Sequence, residues 1–369
     1  MTDVLHVISG LGAGGAETML LQLAPRLRAL GLSQHVAGLS VQDTLAGDLR
    51  AAGTDVTVLG ATSAVSSLEA FTRLLRLVNR LRPKIVQGWM YHGNIAATLS
   101  HCFSSGRRER RLFWNLRASN MDGARYGRII WLSGLLSRMP DLVIANSEAG
   151  AAFHRGRGLN PRNLVVIPNG INTEKFRPDP SVRRQIRDEL GISRDAVVVI
   201  YVARVDPMKD HDTFLAAMAR LPAVTAIMVG NGTRELPAQP NVYALGLRRD
   251  TERAYAAADI VASTSAFGEG FSNVIAEGMS AGLVPVATDV GDVGRIIGDA
   301  GSLVPPRDPA AFSHALATLA ALSKEERVRK GASVRARIVS NFSLESAVDR
   351  YFQLYSAPTE QAALAGAAG

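Results

Sequence analysis

The chain has 369 residues, of which 47% are hydrophobic, 20% charged and 6% aromatic, with a mean hydropathy near zero and a net charge of +8. That composition excludes a disordered or membrane-embedded chain, and at about 150 residues per domain it implies two or three domains, each able to bury its own core. A single cysteine, Cys102, excludes an intrachain disulfide framework and a multi-cysteine zinc site, as expected in a reducing compartment.

Short apolar runs alternate with helical patterns from the start. Val4-Leu5-His6-Val7-Ile8-Ser9 reads as a buried strand, and Ala16 to Leu30 as a helix with Met19, Leu20, Leu23, Leu27 and Leu30 on one face. Gln34 to Leu39 and Asp55 to Leu59 are strand-like, with a helical stretch between them. Ser67 to Leu81 is helical and ends before Pro83, and Ile85 to Trp89 is the next strand. Leu112 to Asn115 and Leu142 to Asn146 follow. After Pro168-Asn169-Gly170 the chain turns polar and proline-bearing through Pro178 and Pro180, which reads as a linker over 171–180. The pattern then restarts, with strands predicted over 197–202, 225–229, 242–245, 259–262 and 284–287.

Parallel strands need crossover helices, so this alternation predicts an α/β chain with two doubly wound, Rossmann-like parallel sheets facing across a cleft. The expected division is 1–171, 172–345, and a C-terminal helix and tail over 346–369 that returns to the first domain. From Pro358 the tail is rich in Ala and Gly and is expected to fray. The first residues lack a basic segment followed by an apolar core, and no apolar run approaches the roughly 18 residues of a spanning helix. A cytoplasmic location is the expectation. Residues 1–171 hold 19 Lys/Arg against 10 Asp/Glu, while the remainder holds 22 against 23. The basic half suits anionic lipid or a phosphate-bearing substrate. No run interleaves aromatics with basic residues, so nucleic acid is not an expected partner.

Three motifs carry chemistry. Gly10-Leu11-Gly12-Ala13-Gly14-Gly15 joins the first strand to the first helix and satisfies G-x-G-x-x-G, letting a phosphate or sugar approach the helix N-terminus. Its plain alternative is a tight turn. A dinucleotide site would need an acidic partner about 20 residues on, whereas Asp43 lies further away, and no Tyr is followed four positions later by Lys. Second, Arg204 follows a strand and Lys209 precedes a helix, two cations able to neutralise a diphosphate unless Asp206 or Asp210 pairs with them. Third, Glu269 and Glu277 stand eight apart in Phe267-Gly268-Glu269-Gly270-Phe271-Ser272-Asn273-Val274-Ile275-Ala276-Glu277-Gly278. Gly270 frees the turn, and Ser272 or Asn273 is placed to cap the helix, whose first N–H groups then face an anion. Carboxylates there accept hydrogen bonds from ribose and sugar hydroxyls.

A glycine-rich first loop, an Arg with Lys five residues on, and E-x(7)-E with Gly-Phe after its first Glu resemble the retaining GT-B glycosyltransferases of the family-4 type. Pro168-Asn169-Gly170-Ile171, Val229-Gly230-Asn231-Gly232 and Ala281 to Ala287 extend the resemblance over nearly the whole chain. It implies that Arg204 and Lys209 bind the donor diphosphate, that Glu277 holds the ribose, and that Glu269 holds a hydroxyl of the donor sugar. Backbone at Gly270, Phe271, Ser272 and Asn273 would meet sugar or phosphate. Gly12, Gly14 and Gly15 would border the acceptor side. His92, after a first-domain strand, matches the place of an active-site histidine, with Asn94 a weaker candidate and Asn115 and Arg117 weaker still.

The implied reaction is transfer of a sugar from a nucleoside-diphosphate sugar, UDP by family frequency, with retention and without an identified enzymic nucleophile. Arg204 and Lys209 can supply the positive charge that the leaving diphosphate needs, so neither metal nor cofactor is expected. The implied acceptor is a glycan or a polyprenyl-diphosphate-linked glycan, as in polysaccharide or lipopolysaccharide synthesis at the inner face of the cytoplasmic membrane. The arginines over 107–111 and the stretch Tyr126 to Met139, with Arg125, Arg128 and Arg138, would face that surface, unless the stretch is an ordinary core-facing helix. Two other readings stand beside this one: a nicotinamide-dependent oxidoreductase using the Gly10–Gly15 loop, and a non-catalytic nucleotide- or carbohydrate-binding protein.

Overall fold

The structure is a computed structural model that describes residues 2–12, 14–117 and 123–357, the side chains of residues 64 and 123–125 excepted. The tail from Pro358 and the side chain of Arg125 therefore lie outside the described residues. The chain divides into two units, Met1–Asn169 with Ala347–Gly369, and Gly170–Ser346.

The first unit carries strands β1 (Val4–Ile8), β2 (Gln34–Ser40), β3 (Asp55–Ala61), β4 (Ile85–Trp89), β5 (Arg111–Leu116), β6 (Leu142–Ala145) and β7 (Leu164–Val166). Between them run helices α1 (Gly15–Ala29), α2 (Ala46–Ala51), α3 (Ala64–Leu81), α4 (Met90–Phe103), α5 (Gly123–Leu136) and α6 (Glu148–Gly156). The sheet order is β3-β2-β1-β4-β5-β6-β7 and every pairing is parallel. Helices cover such a sheet on both faces, so its central strands read as apolar runs without alternation, and β1 and β4 are buried along their whole lengths. Helix α3 begins three residues before the expected Ser67. Ser63 caps it in a reciprocal capping box with Ser66, and Arg82, left-handed at φ 45, closes it ahead of Pro83.

The second unit begins with α7 (Pro180–Glu189), entered through an Asp179 cap and a proline in the first turn. It continues through β8 (Val198–Val202), α8 (His211–Ala219), β9 (Thr225–Val229), β10 (Val242–Gly246), α9 (Thr251–Ala256), β11 (Ile260–Ser263), α10 (Asn273–Ser280), β12 (Val284–Thr288), α11 (Val293–Ile297), β13 (Ser302–Val304), α12 (Pro309–Ala320) and α13 (Lys324–Phe342). The order is β10-β9-β8-β11-β12-β13, again all parallel. Alternate residues of β8 feed two cores: Val198 and Ile200 join one cluster, Val199 and Tyr201 the other. Residues 171–180 are packed rather than loose. Ile171 and Phe176 are buried in the first of these cores, and Ile171 bridges Ser343.

Helix α14 (Leu344–Ser356) belongs to the first unit from Ala347 onward. Polar bonds fix it there. The Tyr355 hydroxyl donates to Gln87 Oε1 at 2.7 Å, Asn115 Nδ2 donates to the Tyr351 hydroxyl at 2.7 Å, and Arg350 donates to the Val166 carbonyl at 2.9 Å.

One buried histidine on β1 gives a pH-dependent stability. His6 is fully buried, its Nδ1 accepting from Trp89 Nε1 at 3.1 Å and its Nε2 facing Gln34 Oε1 at 3.1 Å. The neutral ring satisfies both contacts, and burial lowers its pKa to about 4. Because the unfolded ring binds its proton near 6.5, this stability is present above pH 6.5 and is lost as pH falls towards 4. At about 1.4 kcal/mol per unit, the loss is about 3 kcal/mol. All three tryptophans, Trp89, Trp114 and Trp131, lie in this unit, so urea titration followed by tryptophan fluorescence reports it alone. His6→Gln should lower stability at pH 7 and lose less of it between pH 7 and 4.5 than the parent; equal losses in the two proteins would refute the assignment.

Candidate active site

Both sheets have the same order when numbered within their own units, 3-2-1-4-5-6 with a seventh strand added in the first. The direction of winding therefore reverses between β1 and β4 and again between β8 and β11. Open parallel sheets bind ligands outside the carboxyl ends of strands at such a switch point. The expected site residues follow these four strands.

In the second unit, Arg204 and Lys209 follow β8, while Glu269 lies on the loop from β11 to α10. The structure brings Lys209 and Glu269 together: Lys209 Nζ donates to Glu269 Oε1, both side chains being largely buried. Ser265 Oγ donates to the same carboxylate oxygen at 2.6 Å. The Lys209 loop is held from beneath, since the Tyr201 hydroxyl and Thr264 Oγ1 both donate to the Lys209 carbonyl, the latter at 3.0 Å. Thr288 Oγ1 fixes the Ser265 carbonyl at 2.6 Å. Arg204 is different. Its side chain is exposed and its Nε and one terminal nitrogen donate to Asp206 Oδ2 at 3.2 and 2.9 Å. The Arg204–Asp206 pairing left open by the sequence is therefore realised, with the other terminal nitrogen facing away from that bond.

The loop bearing Glu269 and Gly270 is set by close backbone approach. Gly291, at φ +66, faces the Glu269 carbonyl so tightly that a Cβ would lie 2.2 Å from it, and the Asp292 amide donates to the Gly270 carbonyl at 3.1 Å. Ser272 occupies the cap position of α10, but its hydroxyl makes no cap hydrogen bond. The expected side-chain cap by Ser272 is thus corrected, and a helix start without one suits an anion. The Phe271 side chain is a core group, 5.6 Å from Phe342 between ring centroids, which leaves its backbone as the part able to meet a ligand.

Glu277 sits in a separate hydrogen-bonded set. Its Oε2 accepts from the Tyr255 hydroxyl of α9 at 3.1 Å, and burial raises its pKa to about 7, with the tyrosine bond and the Lys175 charge opposing that rise. Tyr255, Ser265 and Thr264 were not legible from the motifs. The run Ser263-Thr264-Ser265 at a strand's carboxyl end was the available signal for two of them.

In the first unit, Gly12 and Gly14 lie between β1 and α1, with Gly14 as N-cap, Gly15 as the first residue of α1 and Glu17 in its first turn. Burial raises the Glu17 pKa, opposed by the Arg117 charge. Arg117 donates to Asn169 Oδ1 and lies over the Trp89 ring. His92 follows a sharp strand-to-helix turn in which Met90 has φ 60. The absence of a side chain at Gly93 allows the turn, since a Cβ there would meet the Val7 carbonyl at 2.4 Å. This turn leaves His92 exposed, and its apolar surroundings lower its pKa below 6.5. Asn94 is fully buried, its amide nitrogen 3.3 Å from the Asn115 carbonyl and its oxygen 3.3 Å from the Asn115 amide. It braces β5 with both ends of its amide.

Parallel sheets of this order with cations after β8 and a carboxylate loop after β11 define a glycosyltransferase of GT-B fold. The chain belongs to that family: residues 13–175 match the Glycosyltransferase Family 4 model and residues 196–321 the Glycosyl transferases group 1 model. Among curated relatives, the D-inositol 3-phosphate glycosyltransferase of Geodermatophilus obscurus is 33% identical over 264 residues, 64% of this chain and 57% of that protein. The enzyme of the same name from Xylanimonas cellulosilytica is 28% identical over 258 residues, 64% of this chain and 61% of that protein. The matches thus span less than two thirds of these relatives. Among solved structures, Anabaena HepE in complex with UDP superposes with a TM-score of 0.85 at 21% identity, covering 96% of this chain and all of that one. Its complex with UDP-glucose gives 0.82 at 21% identity, covering 95% and 98%. The lipopolysaccharide outer core galactosyltransferase WaaB gives 0.71 at 15% identity, covering 95% and 98%.

Proposed function

We propose that the protein transfers a sugar, with retention, from a UDP-sugar to a glycan or polyprenyl-diphosphate-linked acceptor, without a metal. The observation that carries this reading is the Lys209–Glu269–Ser265 cluster at the second unit's switch point. Cleavage of the sugar–phosphate bond leaves negative charge on the nucleoside diphosphate, and fixed charges aimed at developing charge are the strongest catalytic device available to a protein. An ammonium has three hydrogens, so Lys209 retains two for the diphosphate while bonded to Glu269. Arg204 and the start of α10 add positive potential. Glu269 accepts from a donor-sugar hydroxyl, Glu277 from the ribose, and His92, neutral at pH 7, faces the acceptor. The ligands bound by HepE, UDP and UDP-glucose, support the choice of base. An oxidoreductase would leave this cluster and the Arg204–Lys209 pair without a use.

Among the described residues no helix is long and apolar enough to cross a membrane. The reading places the protein at the inner face of the membrane through its basic first unit, with a role in surface polysaccharide or lipopolysaccharide synthesis. Thermal shift against UDP, GDP, ADP and NAD without added metal tests the donor assignment. UDP at about 100 times its Kd should add about 2.7 kcal/mol, and Glu269→Ala should retain the fold while losing transfer. Stabilisation by NAD alone would overturn the reading in favour of the oxidoreductase.

A further inference from the structure

The first unit contains a cavity of about 500 Å³, bounded by α3, α4 and α5 and by the carboxyl ends of β2 and β3. That volume lies within the range of about 300–1,000 Å³ occupied by small-molecule sites. Its walls are apolar, with Leu39, Phe71, Ile95, Leu99, Ile129 and Leu132 among them. Arg128 and His92 are the ionisable lining residues, Ser67 supplies a hydroxyl, and no carboxylate lines it. Such a wall fits neither a sugar, which needs several convergent polar partners, nor a basic group. It fits an aliphatic chain bearing an anionic head.

The surroundings agree. Of sixteen large hydrophobic residues exposed among the described residues, seven lie on α3, α4 and α5, including Val65, Leu68, Phe103, Trp131 and Leu135, each more than 60% exposed. A concentration of this kind marks an interaction surface, and the net charge of the first 171 residues is positive. The cavity is also lined by His92, which follows the switch-point strand β4, so a chain held here has its head beside a residue assigned to the acceptor.

We infer that the cavity bounded by α3, α4 and α5 binds the aliphatic chain of a lipid-phosphate acceptor, with Arg128 drawing its phosphate. This rests on the lipid-linked acceptor reading above. Apolar burial supplies the affinity, and the guanidinium orients the head by a charge-assisted bond.

Calorimetry of the full chain with farnesyl diphosphate and with inorganic diphosphate tests it, in saturating UDP so that neither probe enters the donor site. The expected result is one farnesyl diphosphate per chain, bound at least tenfold more tightly than diphosphate. Ala96→Phe, which fills the cavity from the wall formed by α4, should weaken it at least tenfold while UDP still stabilises the protein. Leu99→Asp, on the more exposed side of the same helix, is the second variant should Ala96→Phe fail to fold. Equal affinity for the two probes, or farnesyl diphosphate binding unchanged in a folded variant, overturns the inference. So does self-association through this face that Leu99→Asp abolishes without altering probe binding. Transfer from radiolabelled UDP-glucose into a membrane lipid extract separates the two claims. Label in the organic phase that Ala96→Phe leaves undiminished overturns the cavity and preserves the lipid-linked acceptor; label confined to water-soluble product overturns both.

Discussion

Replacing Lys209 by alanine is expected to lower kcat for sugar transfer by about 10²–10³-fold, the usual cost of removing one preorganised group that stabilises developing negative charge. The ammonium is largely buried and held by a carboxylate within the same unit, so its position precedes donor binding and costs no reorganisation during reaction. Glu269→Ala should also be severely impaired, because it removes both the sugar contact and the group that orients Lys209. The two changes should not add: the Lys209→Ala, Glu269→Ala double variant should be roughly tenfold more active than independent effects would allow, since each single change already removes their common interaction. Steady-state kinetics on the four proteins, with thermal melting to confirm folding, decides it. Strictly multiplicative losses would mean that the pair does not act as a unit, and wild-type kcat in Lys209→Ala would remove Lys209 from the site.

Why the pair is adjacent was not legible from spacing, since 60 positions separate its members. What was legible follows from burial. Strands covered on both faces are largely apolar, so β8, β11 and β12 announce themselves as nearly unbroken runs, and β1 and β4 do so despite the buried His6 and Gln87. The loops after such strands fall at carboxyl ends, and this makes the positions of Arg204, Lys209, Glu269 and the Gly12–Gly15 loop legible in the sequence. Three-residue β13 carries too few positions for a pattern. The burial of Asn94 was hidden for a different reason: its place after β4 was visible, but a buried asparagine bonded to the neighbouring strand's backbone looks the same in sequence as one facing solvent. The attachments of α14, Tyr351 to Asn115 and Tyr355 to Gln87, span more than 230 positions and depend on how separate segments pack.

Glu277 leads to the second large effect, a pH dependence of nucleotide binding. With its pKa raised to about 7 by burial, the carboxyl is about one-tenth ionised at pH 6 and about nine-tenths at pH 8. Only the ionised form accepts from both ribose hydroxyls without a proton of its own, so UDP should bind up to tenfold more tightly at pH 8 than at pH 6 through this group. The unliganded protein responds in the opposite sense. The folded state holds this proton up to about pH 7, whereas the unfolded chain releases it near 4.5. Glu277 therefore contributes stability that is fully present below pH 4.5 and is lost as pH rises through 7. Glu277→Gln keeps the shape and the Tyr255 contact but cannot ionise. Its UDP affinity should be weakened about tenfold or more at pH 8, its pH slope should be flatter than the parent's, and its unliganded stability should not decline between pH 5 and 7.5 as the parent's does through this group. Calorimetric titration of UDP at pH 6, 7 and 8 for both proteins separates this from ionisation of the nucleotide itself, which is common to the two series. Parallel affinity curves would show that the Glu277 carboxylate does not meet the ribose, while matching stability curves would place its pKa well below 7.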